Sequence, residues 1–241
     1  MANHSEQQVL TGLRTRIATK FGALSNPKYR RYWFGSLASV GAIQIVTMAQ
    51  GWLIVDKLGG SELDIGVLGG ATAVPTILVS LFGGVLADRF DRRKLIIGVS
   101  AASTALLMLL AILDATDSVM IWHVVVIAAM QGLVMGFDGP VRSSYFPLLI
   151  ERKHMTSAVV LGTVMWQFSR LVTPVIGGFI IRYGGTESVF FVGVLGWASM
   201  LLVMISLKVS SLPVDKSRNV MGDIVEGVRF IRSRRDFVLL I

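Results

Sequence analysis

The chain has 241 residues, of which 53% are hydrophobic and only 16% are charged, and its mean hydropathy is +0.67. Soluble domains carry about 25% charged residues, so this composition excludes a water-soluble globular domain and indicates a polytopic membrane protein. The net charge of +8 does not indicate nucleic-acid binding, because the cations lie in short segments beside apolar runs. The absence of cysteine excludes disulfides and thiolate metal sites.

Residues 1–31 are polar and basic, and we interpret them as a cytoplasmic N-terminal tail. A floppy tail and a weak amphipathic surface helix both fit residues 1–20. A signal peptide is not indicated, because the first apolar run is longer than the roughly 7–15 residues of a signal sequence.

Six apolar runs follow, each close to the ~20 residues that cross a bilayer as a helix. They predict an all-α membrane protein with a six-helix transmembrane bundle over residues 32–208. The runs cover residues 33–55, 65–87, 95–113, 119–141, 157–181 and 188–208. Of the 23 lysines and arginines, only Lys57 and Arg182 fall in segments that this topology places outside, and Arg170 lies within a span. Since positive loops stay in the cytoplasm, both termini are predicted to be cytoplasmic.

The chain beyond the sixth run changes character. Residues 209–236 are predicted to form a cytoplasmic linker, either a basic amphipathic helix on the anionic inner leaflet or a plain solvated helix. Residues 237–241 are apolar and are interpreted as the start of a truncated seventh helix.

The segment between the second and third runs, Gly84-Val-Leu-Ala-Asp-Arg-Phe-Asp-Arg-Arg-Lys94, is the most specific motif in the chain. It resembles the signature loop of the major facilitator superfamily, G-x-x-x-D-R-x-G-R-R-[RK], which joins the second and third helices of that fold. Asp91 stands where the pattern usually has glycine. This variant resembles the branch that includes enterobactin-exporter-like and drug–proton antiporter-like proteins.

The resemblance implies the N-terminal half of a twelve-helix facilitator, built from two inverted three-helix repeats, in the inner (cell) membrane. It further implies a secondary active exporter of small amphipathic or siderophore-like molecules, working by alternating access, driven by protons and completed by a C-terminal six-helix half that is missing here. Two alternatives remain open: a non-transporting membrane module or degenerate fragment, and an uptake permease for another small solute. The partners are then the substrate, the lipid bilayer and the second half, without nucleic acid, cofactor or metal.

An enzyme is not predicted. Ser100 and His123 would lie toward opposite sides of the membrane, so a nucleophile and its base would not meet. The glycines form no phosphate-binding loop of the kind that ATP-driven transport needs.

The resemblance also implies a conformational latch on the cytoplasmic side. Asp138 and Arg142 are four residues apart and share a helix face, and they would join charges of the signature loop. The alternative is ordinary snorkelling of these side chains to the interface. The predicted latch consists of Gly84, Asp88, Arg89, Arg92, Arg93, Asp138 and Arg142.

Arg170 lies near the middle of the fifth run, where a cation costs at least about 2.5–3.5 kcal/mol unless it faces a cavity or a partner. It is predicted to bind substrate or to take part in coupling, with a structural tie to polar neighbours as the alternative. Mid-membrane amides supply further cavity positions or interhelical hydrogen bonds. These are Gln44, Gln131 and Gln167, with Thr47 and Gln50 on the first run.

The fifth run also contains a helix-packing motif, Pro174, Gly177 and Gly178, which partly resembles the antiporter signature G-P-x-x-G-G. In the fourth run Ala128 occupies the position at which many proton-coupled relatives carry an arginine. This departure argues against proton coupling through that residue.

Overall fold

The computed structural model describes residues 22–89 and 91–207, and the side chains of residues 81–90 lie outside this description. All regular structure in the described residues is helical. The first four long helices are α1 (Pro27–Trp52), continued by a π-helical turn over Leu53–Lys57, α2 (Glu62–Arg89), α3 (Arg92–Ala115) and α4 (Ile121–Tyr145). Short 3-10 helices cover Gly22–Ser25, Phe146–Leu149 and Arg152–His154.

The remaining helical stretch, Met155–Ser206, is two helices separated at Gly185. This residue has φ 73° and ψ 175°, a left-handed conformation that glycine adopts without a Cβ clash. Ala158 and Met204 share one core cluster although they lie near opposite ends of the stretch, so the chain reverses at Gly185. We therefore divide the stretch into α5 (155–184) and α6 (186–206). Within residues 22–89 and 91–207, five segments are long and apolar enough to cross a membrane. Since the last of them is this pair, the predicted all-α six-helix bundle is confirmed.

The first helix begins earlier than the predicted bundle boundary at residue 32. The side chain of Asn26 accepts a hydrogen bond from the backbone N–H of Lys28 at 2.9 Å, and Pro27 occupies the first helical position. An Asn cap satisfies one of the unpaired donors of the first turn, and proline at the first position has no N–H to satisfy. The capping signal therefore extends the helix through the polar residues that hydropathy assigns to the tail.

The helices pair in a pattern that repeats within the chain. Helix α2 packs mainly on α4, α3 packs on α4 and α6, and α1 packs on α5 and α6. If α1, α2 and α3 are made equivalent to α4, α5 and α6, the α2–α4 pair corresponds to the α5–α1 pair. The α3–α4 pair then corresponds to the α6–α1 pair. This is the pairing expected of two inverted three-helix repeats.

Glycines make the closest helix pairs possible. A Cβ on Gly132 of α4 would lie 2.4 Å from the carbonyl oxygen of Thr72 on α2, and a Cβ on Gly196 of α6 would lie 2.6 Å from that of Ala38 on α1. A Cβ on Gly177 of α5 would lie 2.7 Å from Cγ1 of Ile45 on α1. Such small residues let helices associate in lipid, where no hydrophobic force drives them together.

The bundle has two apolar core clusters and an apolar outer surface. One cluster includes Tyr29, Tyr145 and Met204, and the other lies farther along the helices and includes Leu53 and Phe190. We call the end with the α2–α3 connection and the start of α1 the basic end, and the end with Lys57 and Gly185 the opposite end. Large apolar side chains cover much of the outside, as a lipid-facing surface requires; they include Leu78, Leu171, Phe179 and Leu195.

Candidate functional site

A largely buried ion pair joins Asp138 and Arg142, one turn apart on α4. Both carboxylate oxygens accept from Nε of Arg142 at 2.7 Å. The other guanidinium nitrogens donate to the hydroxyl oxygens of Ser36 and Ser39 on α1, each at 3.0 Å. The guanidinium carbon also lies 5.7 Å from the ring centroid of Trp197 on α6. One arginine therefore links α4 to α1 and to α6.

Aromatic side chains of α1 surround this ion pair. The Tyr32 and Tyr145 rings are 5.6 Å apart. The Tyr29 hydroxyl donates to the carbonyl of Ala158 at 3.2 Å, which ties α1 to the start of α5. The Tyr145 hydroxyl is buried without a hydrogen-bond partner among the described residues, and the apolar faces of the rings remain for packing or for a ligand.

A cavity of about 440 Å³ opens between α1, α4 and α5 beside the ion pair. Its volume is within the ~300–1,000 Å³ typical of small-molecule sites. Tyrosines, tryptophans and a phenylalanine supply much of the wall, and Asp138 and Arg142 supply its charges. The lining residues are Tyr29, Tyr32, Trp33, Ser36, Val40, Asp138, Gly139, Arg142, Ser143, Phe146, Ala158, Val159, Gly162, Thr163, Met165, Trp166 and Gln167.

Arg170 follows the cavity wall along α5. Its side chain is exposed on the six-helix unit. The cavity residues Val159, Thr163 and Trp166 precede it at spacings of four and three, which place them on the same helix face. Among the described residues, Arg170 makes no hydrogen bond or ion pair.

The predicted amides do not form one cavity wall. Gln167 lines the large cavity, whereas Gln50 and Gln131 line a separate space of about 60 Å³ inside the bundle, together with Thr47. The side-chain oxygen of Gln131 is buried there without a hydrogen-bond partner among the described residues. Gln44 is half-buried on α1.

The helix-packing motif lies where α1 and α5 cross. Gly177 contacts Ile45, and a Cβ on Gly178 would lie 3.7 Å from Cε of Met48. Pro174 is accommodated within α5. The cavity therefore lies on the basic side of this crossing, between the two helices.

Most of the signature segment is helical, because α2 extends to Arg89 and α3 begins at Arg92. Asp91 caps α3, since its side chain accepts from the backbone N–H of Arg93 at 2.9 Å and of Lys94 at 3.4 Å. An aspartate is a favoured cap, which explains in physical terms why a carboxylate suits the position where the pattern has glycine.

The described latch residues bind backbone as well as each other. Arg92 donates to the carbonyl of Ser144 at 3.1 Å. Arg93 donates to the carbonyls of Met204 and Ile205 at the end of α6, at 3.0 and 2.9 Å. Asp138 accepts hydrogen bonds from Arg142, the residue that was expected to share its helix face. The side chains of Gly84, Asp88 and Arg89 lie outside the described residues, so their part in a latch stays a prediction.

A second charged cluster lies at the opposite end of the bundle, and the sequence analysis did not predict it. The ammonium of Lys57 lies 2.8 Å from a carboxylate oxygen of Asp114 and 2.8 Å from one of Asp117. The Thr186 hydroxyl donates to the other oxygen of Asp114, which is fully buried. The cluster thus joins the end of α1, the end of α3 and the start of α6. Lys57 is one of only two cations that the predicted topology places outside. This unusual position was the sequence signal that could have indicated the cluster.

The described side chains contain no group of three histidine, aspartate or glutamate residues that could hold a metal ion.

Residues 18–241 match the model of a protein family described as transmembrane secretion effectors. The chain is 24% identical over 214 residues to a macrolide efflux protein A of Streptococcus pyogenes, covering 87% of this chain and 50% of the relative. It is 24% identical over 157 residues to a staphyloferrin A transporter of Staphylococcus aureus, covering 64% of this chain and 40% of the relative. It is 23% identical over 213 residues to an enterobactin exporter of Shigella boydii, covering 86% and 50%. The chain therefore spans about half the length of the curated relatives that it matches.

Proposed function

The chain belongs to the family of transmembrane secretion effectors within the major facilitator superfamily, and from this premise we propose that it forms one six-helix half of an exporter of small amphipathic molecules. The observation that carries the proposal is the 440 Å³ cavity between α1, α4 and α5, with its aromatic wall and buried ion pair. Similarity to efflux and siderophore transporters supports the same direction of transport.

The second half of the transporter lies outside this chain in our proposal. Facilitator cavities form between two halves, and alternating access arises when one half rocks against the other around a fixed site. The exposed face of α5 that carries Thr163, Trp166 and Arg170 then faces the second half across the cavity rather than lipid. This arrangement removes the large cost of a lipid-exposed guanidinium.

The basic end is cytoplasmic in this proposal. Positive segments remain on the cytoplasmic side, and Arg89, Arg92, Arg93 and Lys94 lie on the two sides of the α2–α3 connection. Single cysteines at residues 61 and 117 should then react with an impermeant maleimide added to intact cells, and one at residue 91 should not. The reverse labelling pattern would contradict the orientation.

The signature loop and the Asp138–Arg142 pair form the two parts of the proposed cytoplasmic latch. Arg142 holds α4 on α1 and α6, so this part of the bundle moves as one unit. Asp88 would engage the second half and stabilise the outward-open state. Asp88→Asn in the complete transporter should then reduce transport without reducing membrane insertion. Normal efflux by this variant would argue against the latch.

A proton gradient is the proposed driving force. The resemblance of the Gly84–Lys94 segment to that of drug–proton antiporter-like proteins supports this proposal. Abolishing the pH gradient across the membrane should therefore stop export.

Transport by inverted membrane vesicles tests the function. Vesicles that contain this chain together with its second half should accumulate a fluorescent macrolide or a siderophore when a pH gradient is applied, and vesicles without the protein should not. Accumulation that resists collapse of the gradient would remove the proton coupling but not the transport. A protein that inserts normally and moves none of these compounds would favour a non-transporting membrane module.

A further inference from the structure

Arg170 lies on α5 just beyond the residues that line the cavity. Val159, Thr163 and Trp166 lie eleven, seven and four residues before it, which at 3.6 residues per turn places all four side chains on one stripe. One turn of helix, about 5 Å, separates Arg170 from Trp166 and Gln167. The cavity wall therefore continues from its aromatic part directly to a guanidinium.

The two buried carboxylates of the described residues are already compensated. Asp138 accepts two bonds from Arg142, and Asp114 at the opposite end accepts from Lys57 and Thr186. Arg170 is the charge on the cavity face for which the described residues provide no counter-ion. The cavity side of this half thus has one uncompensated positive charge.

The chemistry of arginine excludes one use of that charge. A guanidinium stays protonated at all relevant pH values, so Arg170 is not itself a proton carrier. Its planar fork instead matches the two oxygens of a carboxylate. A cation held in a low-dielectric environment favours an anion strongly, because little solvent screens the pair.

We propose that Arg170 is an oxyanion subsite, which binds a carboxylate of the exported molecule while the aromatic part of that molecule lies in the cavity beside Trp33 and Trp166. The proposal rests on the transport function proposed above and adds a substrate class to it: amphipathic carboxylates with an apolar or aromatic body. A carboxylate of the second half is the other group that could pair with Arg170, and the test separates the two.

The test measures binding apart from transport. The complete transporter, purified in nanodiscs, is titrated with pyrenebutanoate and with its neutral carboxamide, pyrenebutanamide, and pyrene fluorescence reports binding. The two probes share the aromatic body and differ in the charged group. We expect the carboxylate to bind about tenfold or more tightly than the amide, since charge-assisted bidentate hydrogen bonds are about twice as strong as neutral ones.

Two substitutions of Arg170 and a matched control then show whether Arg170 causes the preference for the carboxylate probe. Arg170→Gln should remove the preference for the carboxylate and leave amide binding within about twofold, and Arg170→Lys should retain part of it because the charge remains without the fork. Arg182→Gln removes an exposed arginine at the far end of the same helix and should leave both affinities unchanged.

Three results would overturn the proposal: equal binding of both probes by the unsubstituted transporter, a preference that persists in Arg170→Gln, or an equal loss of both probes in that variant. The last is the result expected if Arg170 pairs with a carboxylate of the second half. A selective loss of carboxylate binding in Arg170→Gln supports the subsite even if the vesicles show no transport. The binding experiment therefore tests the subsite, and the vesicle experiment tests the transport function, independently of each other.

Discussion

The ion pair between Asp138 and Arg142 gives a quantitative test of how the basic end is held together. The side chains are only 3% and 12% exposed, so removing one partner leaves the other charge with almost no access to water. Such a loss costs about 3–5 kcal/mol, whereas removing both charges together leaves nothing uncompensated. We expect Asp138→Asn and Arg142→Gln each to lower the free energy of unfolding by about 3–5 kcal/mol. The double variant should lose clearly less than the sum.

A double-mutant cycle, measured by chemical denaturation in mild detergent, gives the coupling energy of the pair. Trp197, 5.7 Å from the Arg142 guanidinium, provides a fluorescent reporter of this region. Glu151 and Lys153 form a matched control, because their charged atoms are also 2.7 Å apart but both side chains are about two-thirds exposed. Exposed pairs of this kind contribute about 0–1 kcal/mol. If the buried pair couples no more strongly than the control, the reasoning from burial is wrong.

Two further substitutions test the contacts between helices. Asp114→Asn removes a fully buried charge at the opposite end and should destabilise the protein by about 3 kcal/mol. Asp117→Asn, at a side chain that is 83% exposed, should cost less than about 1 kcal/mol. Equal melting temperatures of the two purified variants would contradict this difference. Gly132→Ala places a Cβ 2.4 Å from a backbone oxygen of α2 and should cost about 1–3 kcal/mol through overpacking. Gly70→Ala, which meets nothing within 4 Å, should be neutral or slightly stabilising, and thermal unfolding of the pair in detergent measures the contrast.

The helices were predictable because hydropathy depends on local sequence alone. Apolar runs near 20 residues long identify membrane spans without knowledge of their neighbours, and the resemblance of the signature loop implied two inverted three-helix repeats. Helix ends were less predictable. The start of α1 depends on a cap at Asn26, and the predicted loop around Gly185 is a break at a single glycine.

The polar contacts were only partly predictable. The spacing of Asp138 and Arg142 indicated their pair, because it lies within one helix. The cluster around Asp114 joins residues that are distant in the sequence, and no local pattern shows that this carboxylate is buried rather than exposed at a helix end. The separation of Gln131 from Gln167 into two cavities likewise depends on how α4 and α5 are rotated in the bundle, which the sequence alone does not reveal.

The contact of Arg93 with the end of α6 has a mechanical consequence. The last carbonyls of a helix lack partners within it, and here the guanidinium at the start of α3 supplies them for Met204 and Ile205. Tension applied to the chain beyond Leu207 would be transmitted through these two hydrogen bonds to the first turn of α3. It would then reach Asp91, which caps that helix. The end of α6 and the first turn of α3 are therefore mechanically coupled, and a displacement of one would strain the other.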